Sequence, residues 1–396
     1  MKKTLLATTV LVTMLAITSL SVSTNVSGAG RKITFNLDVP YHPEAISGFC
    51  GAAVAQMWIE YNTGTSVDQW ELFYGDPDGP WDGIYMNNPE PGWWTSPQGL
   101  EVAMNWYAQP TDPATIADYS YDNPYVAVAY QAISIIFYNQ PSAALVWDGD
   151  HWMLVKGVVL QLNPMVIKGF YVHDPYGFKE GWGFPTSNVF KTVKAWVKAH
   201  FTPITGGGIW GGKWVTVEYY PEATHPTEFV QGFSYTIEIE SSRGEPTTFK
   251  DVVNEAQRGL RENGLYDSGS FESRLKGAKA TSPIRVQSLS ENLNDYYIVP
   301  FEKGGKISAA AIVDAVTGDF LEAACGPAIA TGYLTISSNQ AEEIIHGYTG
   351  KEITQPPELV WMPCSHSWQP YYPFWLGVTV DGDQIFVDMN GVPFEA

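Results

Sequence analysis

The feature that most constrains the fold is one passage near the start of the chain. The extended run Leu37-Asp38-Val39-Pro40-Tyr41-His42 leads through Gly48-Phe49-Cys50-Gly51-Ala52-Ala53 into Val54-Ala55-Gln56-Met57-Trp58-Ile59-Glu60-Tyr61. Small residues followed by large apolar ones, with no Gly or Pro among them, predict a buried helix that Asn62-Thr63-Gly64 stops. A cysteine at a helix start sits where unpaired backbone N–H groups and the helix dipole favour an anion. The thiolate is the nucleophilic form of cysteine. Gly51, Ala52 and Ala53 leave space for something to approach closely. From this stretch alone two readings are open: a nucleophilic cysteine, and a buried structural cysteine or half of a disulfide.

The 396 residues are enough for two or three domains. Lys2-Lys3, the apolar run Leu5 to Leu20 and the small residues Val26-Ser27-Gly28-Ala29 have the form of a secretory signal peptide, expected to span 1–29 and to be removed. A retained N-terminal anchor is the alternative, and no later apolar run is long enough to span a bilayer. The protein is therefore expected to be secreted or at the cell surface. Losing the two signal lysines takes the formal charge from −20 to about −22. Such a chain repels nucleic acid and anionic membranes, so neither is an expected partner. There are three cysteines, Cys50, Cys325 and Cys364. Export permits disulfides, and an odd count leaves one thiol over. Cys325 and Cys364 share the C-terminal third and are the expected pair, which leaves Cys50 free.

Residues 75–97 form a loop rich in Gly, Pro and Trp, including Trp93 and Trp94, too long and aromatic to be a passive connection. Its Asp76, Asp78 and Asp82 read as a plain acidic turn or as a calcium cluster, and they do not follow the EF-hand spacing. Ser96 and Pro97 open a helix through about Tyr107, and residues 124–138 form another, ended by Asn139-Gln140-Pro141. Strand-like runs follow at Ser142–Trp147, His151–Leu162 and Met165–Val172, with Asp148-Gly149-Asp150 turning between the first two. A strand at Lys213–Tyr219 precedes the best boundary, Pro221–Pro226; Phe233–Ile239 reads as a strand and Thr248–Asn263 as an amphipathic helix. The expected organisation is a signal peptide, a domain over 30–222 and an accessory region over 223–396.

The last third repeats itself. Tyr296-Tyr297-Ile298-Val299-Pro300-Phe301 is followed by Gly305-Lys306-Ile307, Val313-Asp314, Gly318 and Glu322-Ala323. Tyr371-Tyr372-Pro373-Phe374 is followed by Gly382-Asp383-Gln384-Ile385, Val387-Asp388, Gly391 and Glu395-Ala396. Each copy reads as a three-stranded meander. They resemble the small PepSY-type and cystatin-like α+β modules of exported peptidases.

A cysteine nucleophile needs a base, and the base an orienting group. His151 opens an apolar strand just after the Asp148–Asp150 turn, and Asp174 ends a later one in Val172-His173-Asp174-Pro175. If those strands are neighbours, the two side chains meet at one end of a sheet. His173 points to the opposite face by strand alternation. Taken together, Val39-Pro40-Tyr41, Cys50-Gly51-Ala52-Ala53, His151-Trp152 and Asp174-Pro175 resemble the papain-like cysteine peptidases. The branch they are most similar to is that of the double-glycine leader peptidases of bacteriocin exporters. The resemblance covers about residues 33–220. It implies an α+β fold, with a helical half carrying the nucleophile and an antiparallel sheet half carrying the base, and a smaller α+β region after it. Carried over, Cys50 is the nucleophile, His151 the general base and acid, and Asp174 the orienting group. Trp93, Trp94 and Trp152 are the expected substrate-binding aromatics. No cofactor or metal is implied. The partner is a peptide or protein substrate, with cell-surface polymer a further candidate for the C-terminal region.

One position departs from the family. Gln usually stands six residues before the nucleophile and donates to the oxyanion; here that residue is Glu44. Losing one good donor costs ~100- to 1000-fold in rate. The alternatives are thus a catalytically impaired binder on the same fold, and a related amidase or transglutaminase acting on cell wall. Cys325-Gly326-Pro327-Ala328 also looks like a nucleophile motif, but His346 and His366 follow it without a comparable strand setting, so Cys325 reads as structural.

Overall fold

The computed structural model describes residues 31–108, 116–162, 165–176, 186–206, 208–219, 244–326 and 332–395. The expected signal peptide, the Pro221–Pro226 boundary and the strand at Phe233–Ile239 lie outside them. So does most of the Cys325 motif beyond Gly326.

The first half begins with strand β1 (Lys32–Asn36) and helices α1 (Cys50–Thr63), α2 (Gln69–Tyr74) and α3 (Pro97–Ala108). Strand β2 (Ile116–Tyr121) and helix α4 (Pro124–Tyr138) follow. Then come β3 (Ser142–Val146), β4 (His151–Gln161), β5 (Val166–His173), β6 (Val189–Thr192) and β7 (Trp214–Tyr219). Helix α1 ends as the sequence predicts, with Gly64 left-handed and its N–H returned to the Glu60 carbonyl. Helix α4 is capped by Asn123, whose side chain accepts from the Tyr125 N–H, and carries Pro124 in its first turn.

The second half contains helices α5 (Phe249–Glu262) and α6 (Gly269–Leu275), then β8 (Lys279–Ala280), β9 (Ile284–Ser288), β10 (Tyr296–Lys303), β11 (Lys306–Asp314) and β12 (Phe320–Cys325). Helix α7 (Ser338–Thr349) and strands β13 (Glu358–Trp361), β14 (Phe374–Val378), β15 (Gln384–Val387) and β16 (Pro393–Phe394) complete it. The sequence repeat is a structural one. β10–β11–β12 and β14–β15–β16 are both antiparallel meanders. In each, the Val-Asp aspartate closes the second turn: Asp314 Oδ1 accepts from the N–H of Val316 and Thr317, and Asp388 Oδ1 from Asn390 and Val392. Each copy is preceded by a helix and a strand, and those two strands, β9 and β13, pair parallel.

The fold is α+β, and the expected accessory region is not a separate body. Among the described residues the strands run in one order, β16-β15-β14-β13-β9-β10-β11-β12-β6-β5-β4-β3-β7-β2, and β12 pairs with β6 through Glu322↔Lys191 and Ala323↔Phe190. The described residues from Lys32 onward pack as one compact unit. The central strands are covered on both faces. Val158, Leu160, Phe170, Val172 and Val189 face the core that contains α1 and α4. Their alternates Val159, Tyr171 and Phe190 face a second core built with Val252, Ala256, Leu260 and Phe271 of α5 and α6. This two-sided burial explains why every residue from His151 to Leu160 is buried.

Candidate active site

Phe49 fixes where α1 begins. Its ring is buried against Phe73, with centroids 4.6 Å apart, and its carbonyl accepts the Ala53 N–H at 2.8 Å. No side chain caps the helix, so its first N–H groups stay available to an anion beside Cys50. The glycines on either side are dictated by space. Gly48 has φ +92°, and a Cβ there would lie 2.7 Å from the Trp94 ring. A Cβ on Gly51 would lie 2.3–2.5 Å from the Thr95 side chain.

The antiparallel register of β4 and β5 pairs Leu154 with His173 and Val155 with Val172, which sets the start of β4 against the end of β5. His151 and Asp174 therefore meet: His151 Nε2 lies 2.7 Å from Asp174 Oδ1, with both side chains almost fully buried. Burial by itself makes an imidazole less basic. The Asp174 charge and hydrogen bond, with a further contribution from Cys50, outweigh it and raise His151 well above its ordinary value. Since Nε2 is engaged by Asp174, Nδ1 is the nitrogen left for the Cys50 thiol.

Asp174 is held at both ends. Its Oδ1 accepts the Tyr176 N–H at 2.8 Å, while its backbone carbonyl accepts the hydroxyls of Tyr41 (2.9 Å) and Thr186 (2.7 Å). Val39 and Tyr41 thus tie the N-terminal extended run to this corner. His173, the weaker candidate base, has both nitrogens committed: Nδ1 accepts from Asn188 N–H, so Nε2 donates to the Val39 carbonyl. Burial and the neighbouring Lys156 push it down to about 3, so it is neutral.

Cys50 and His151 open onto a cleft of about 940 Å³, together with Glu44, Asp148, Asp150 and the loop 91–95. Trp93, Trp94 and Trp152 all line it. Trp94 is 57% exposed and free to meet a ligand. Trp152 is buried, and its indole N–H donates to the Thr95 carbonyl at 3.0 Å, stitching the sheet to the loop packed on α1. Asp148 sits in a turn held in left-handed conformation at Trp147, Asp148 and Gly149 (φ 53°, 59° and 103°).

One expectation is corrected, and one of two readings of an acidic turn is set aside. None of the three cysteines is disulfide-bonded, and Cys325 does not bridge to Cys364. Cys325 is buried in the core beneath α5 and α6, where burial pushes its thiol up to about 11, whereas Cys364 packs against the other core and lines the cleft. The calcium cluster does not assemble either: Asp76 uses its carboxylate to accept the Asp78 N–H at 2.9 Å, and no group of three or more metal-ligating side chains occurs among the described residues.

Two further residues stand at the site with no signal in the sequence to mark them. Trp368 stacks on the His151 imidazole, and Gln369 Nε2 donates to Asp174 Oδ2, across 195 residues of chain. Comparison with protein-family models, curated proteins and solved structures returns no match for this chain.

Proposed function

We propose that the protein is an exported cysteine peptidase of papain-like type, hydrolysing peptide bonds through Cys50, His151 and Asp174. The observation that carries this reading is the buried His151–Asp174 pair, with Cys50 beside it at an uncapped helix start on an open cleft. The Cys50 thiolate attacks the carbonyl carbon of the scissile bond. His151 gives the proton on Nδ1 to the departing amine, leaving a thioester on Cys50. His151 then takes a proton from water, whose oxygen attacks the thioester, and the carboxylate product leaves as the thiol is restored. Asp174 accepts from Nε2–H, which keeps Nδ1 toward the sulfur. The first-turn N–H groups of α1 supply charge stabilisation for the oxyanion.

Glu44, which lines the cleft with Cys50, is the observation that favours the second reading, a binder that holds peptides without cutting them. Incubating the mature protein with a mixed peptide library and sequencing new termini by mass spectrometry separates the two. New termini that vanish in Cys50→Ala support the peptidase. Peptides retained on the protein but left intact at every pH would sink turnover and leave the binder. Addition of a free amine, with transfer products in place of acids, would instead identify an acyl transferase.

A further inference from the structure

Among the described residues, Asp174 Oδ2 has one side-chain donor, and it comes from 195 residues further along the chain. Gln369 is fully buried; its Nε2 donates to Asp174 Oδ2 and its Oε1 accepts from Lys191 Nζ at 3.3 Å. That second contact fixes the amide. An ammonium only donates, so Oε1 must face Lys191 and the NH₂ must face Asp174. Lys191 is in turn held by Glu322 and by His200, whose Nε2 is 3.0 Å from Nζ. The arrangement is a buried polar chain from Cys50 through His151, Asp174 and Gln369 to the Lys191–Glu322–His200 cluster, where β6 meets β12.

Building on the peptidase reading, we propose that the C-terminal region is part of the catalytic centre and that Gln369 is its positioning residue. The amide donates the bond that stops the Asp174 carboxylate from rotating away from His151. It touches neither substrate nor sulfur and acts through Asp174. A buried carboxylate oxygen without a donor is costly. Without Gln369, the Asp174 carboxylate keeps, among the described residues, the Tyr176 N–H and the imidazole, and its grip on the imidazolium weakens. The other charged or titratable groups facing Asp174 are Lys191, His200 and Tyr372, with Tyr176 on its own turn. Of these, Lys191 loses the Gln369 Oε1 acceptor when position 369 becomes Met, and keeps Glu322 and His200 as partners.

The test reads the Cys50–His151 ion pair directly, by the pH dependence of Cys50 alkylation with iodoacetamide in the full chain. Gln369→Met preserves length and approximate volume and removes the donor. The expected result is a low-pH limb displaced upward by about one pH unit and a rate at pH 5 reduced about 10-fold, the size of one hydrogen bond to a charged group. Gln369→Asn, a shorter amide, is expected to shift the limb in the same direction by less, and it carries the test if the Met variant does not fold. A folded variant with an alkylation profile superimposable on wild type would overturn the proposal while leaving the peptidase reading in place. A wild-type Cys50 that shows no His151-dependent reactivity at low pH would overturn both.

Discussion

Trp368 lies flat against the imidazole of His151, with ring centroids 5.3 Å apart and planes 7° apart. The indole shuts water out of one face of the His151–Asp174 pair, where low polarity strengthens their attraction. Trp368→Ala removes about 1 kcal/mol of ring stacking and lets water screen the pair. We expect kcat/KM to fall about 10-fold, with the alkaline limb of the pH–rate profile moving to lower pH. Trp368→Phe should keep most of both. A Trp368→Ala profile that drops in height without shifting would mean the indole serves only packing.

The raised basicity of His151 sets the direction of pH dependence at Cys50. Below its folded value the imidazolium stabilises the thiolate, and that support disappears as pH rises through it. Iodoacetamide should therefore modify Cys50 readily at pH 5. In His151→Ala the thiol loses the imidazolium beside it, and the pH 5 rate should drop about 30-fold. Equal rates in the two proteins would remove the ion pair.

Glu44 offers a gain-of-function test. It lines the cleft with Cys50, and its N–H is pinned to the Pro175 carbonyl at 2.6 Å, so its backbone is anchored to the Asp174 corner. Glu44→Gln exchanges a carboxylate for an amide donor at nearly constant volume. Turnover at neutral pH is expected to rise by about 10-fold or more. Unchanged or lower turnover would show that Glu44 takes no part against the oxyanion.

The Lys191–Glu322–His200 cluster predicts acid lability. Burial pushes Glu322 up, but attraction to Lys191 and His200 outweighs it and leaves its carboxyl at about 2. Burial, reinforced by Lys191, holds His200 down at about 4. Both folded values lie below the unfolded ones of about 4.3 and 6.5, so the unfolded chain takes up protons first as pH falls. Stability should decline from about pH 6.5 down to pH 2. Glu322→Gln leaves Lys191 buried without its counter-charge and should cost about 3 kcal/mol at pH 7, with the gap to wild type narrowing below pH 4.5. Urea titrations at pH 7 and pH 3 measure it.

How much of this was legible in the sequence depends on how local each relationship is. The start of α1, its stop at Gly64, the Val-Asp strand ends and the adjacency of His151 and Asp174 follow from short-range rules, and each was readable. The pairing of Cys325 with Cys364 was inferred from proximity along the chain, and it failed because the two side chains belong to different cores. Choosing Cys50 as the thiol left over lost its basis with it, although the geometry independently singles out Cys50. Trp368 and Gln369 had no local signature: they sit in an irregular stretch, Ser365-His366-Ser367-Trp368-Gln369, whose meaning comes from a strand pairing that spans 131 residues of chain (Glu322↔Lys191).

That same pairing bears on processing. β6 has β5 on one side and β12 on the other. Clipping the chain between the two halves and discarding residues from 244 onward would strip β6 of a neighbour, leaving its backbone amides and carbonyls ready to recruit a strand from another molecule. It would uncover Tyr171 and Phe190 and leave Lys191 without Glu322. A protease that cut the chain there would in that case be destroying it, and a stable short form is not an outcome this architecture permits.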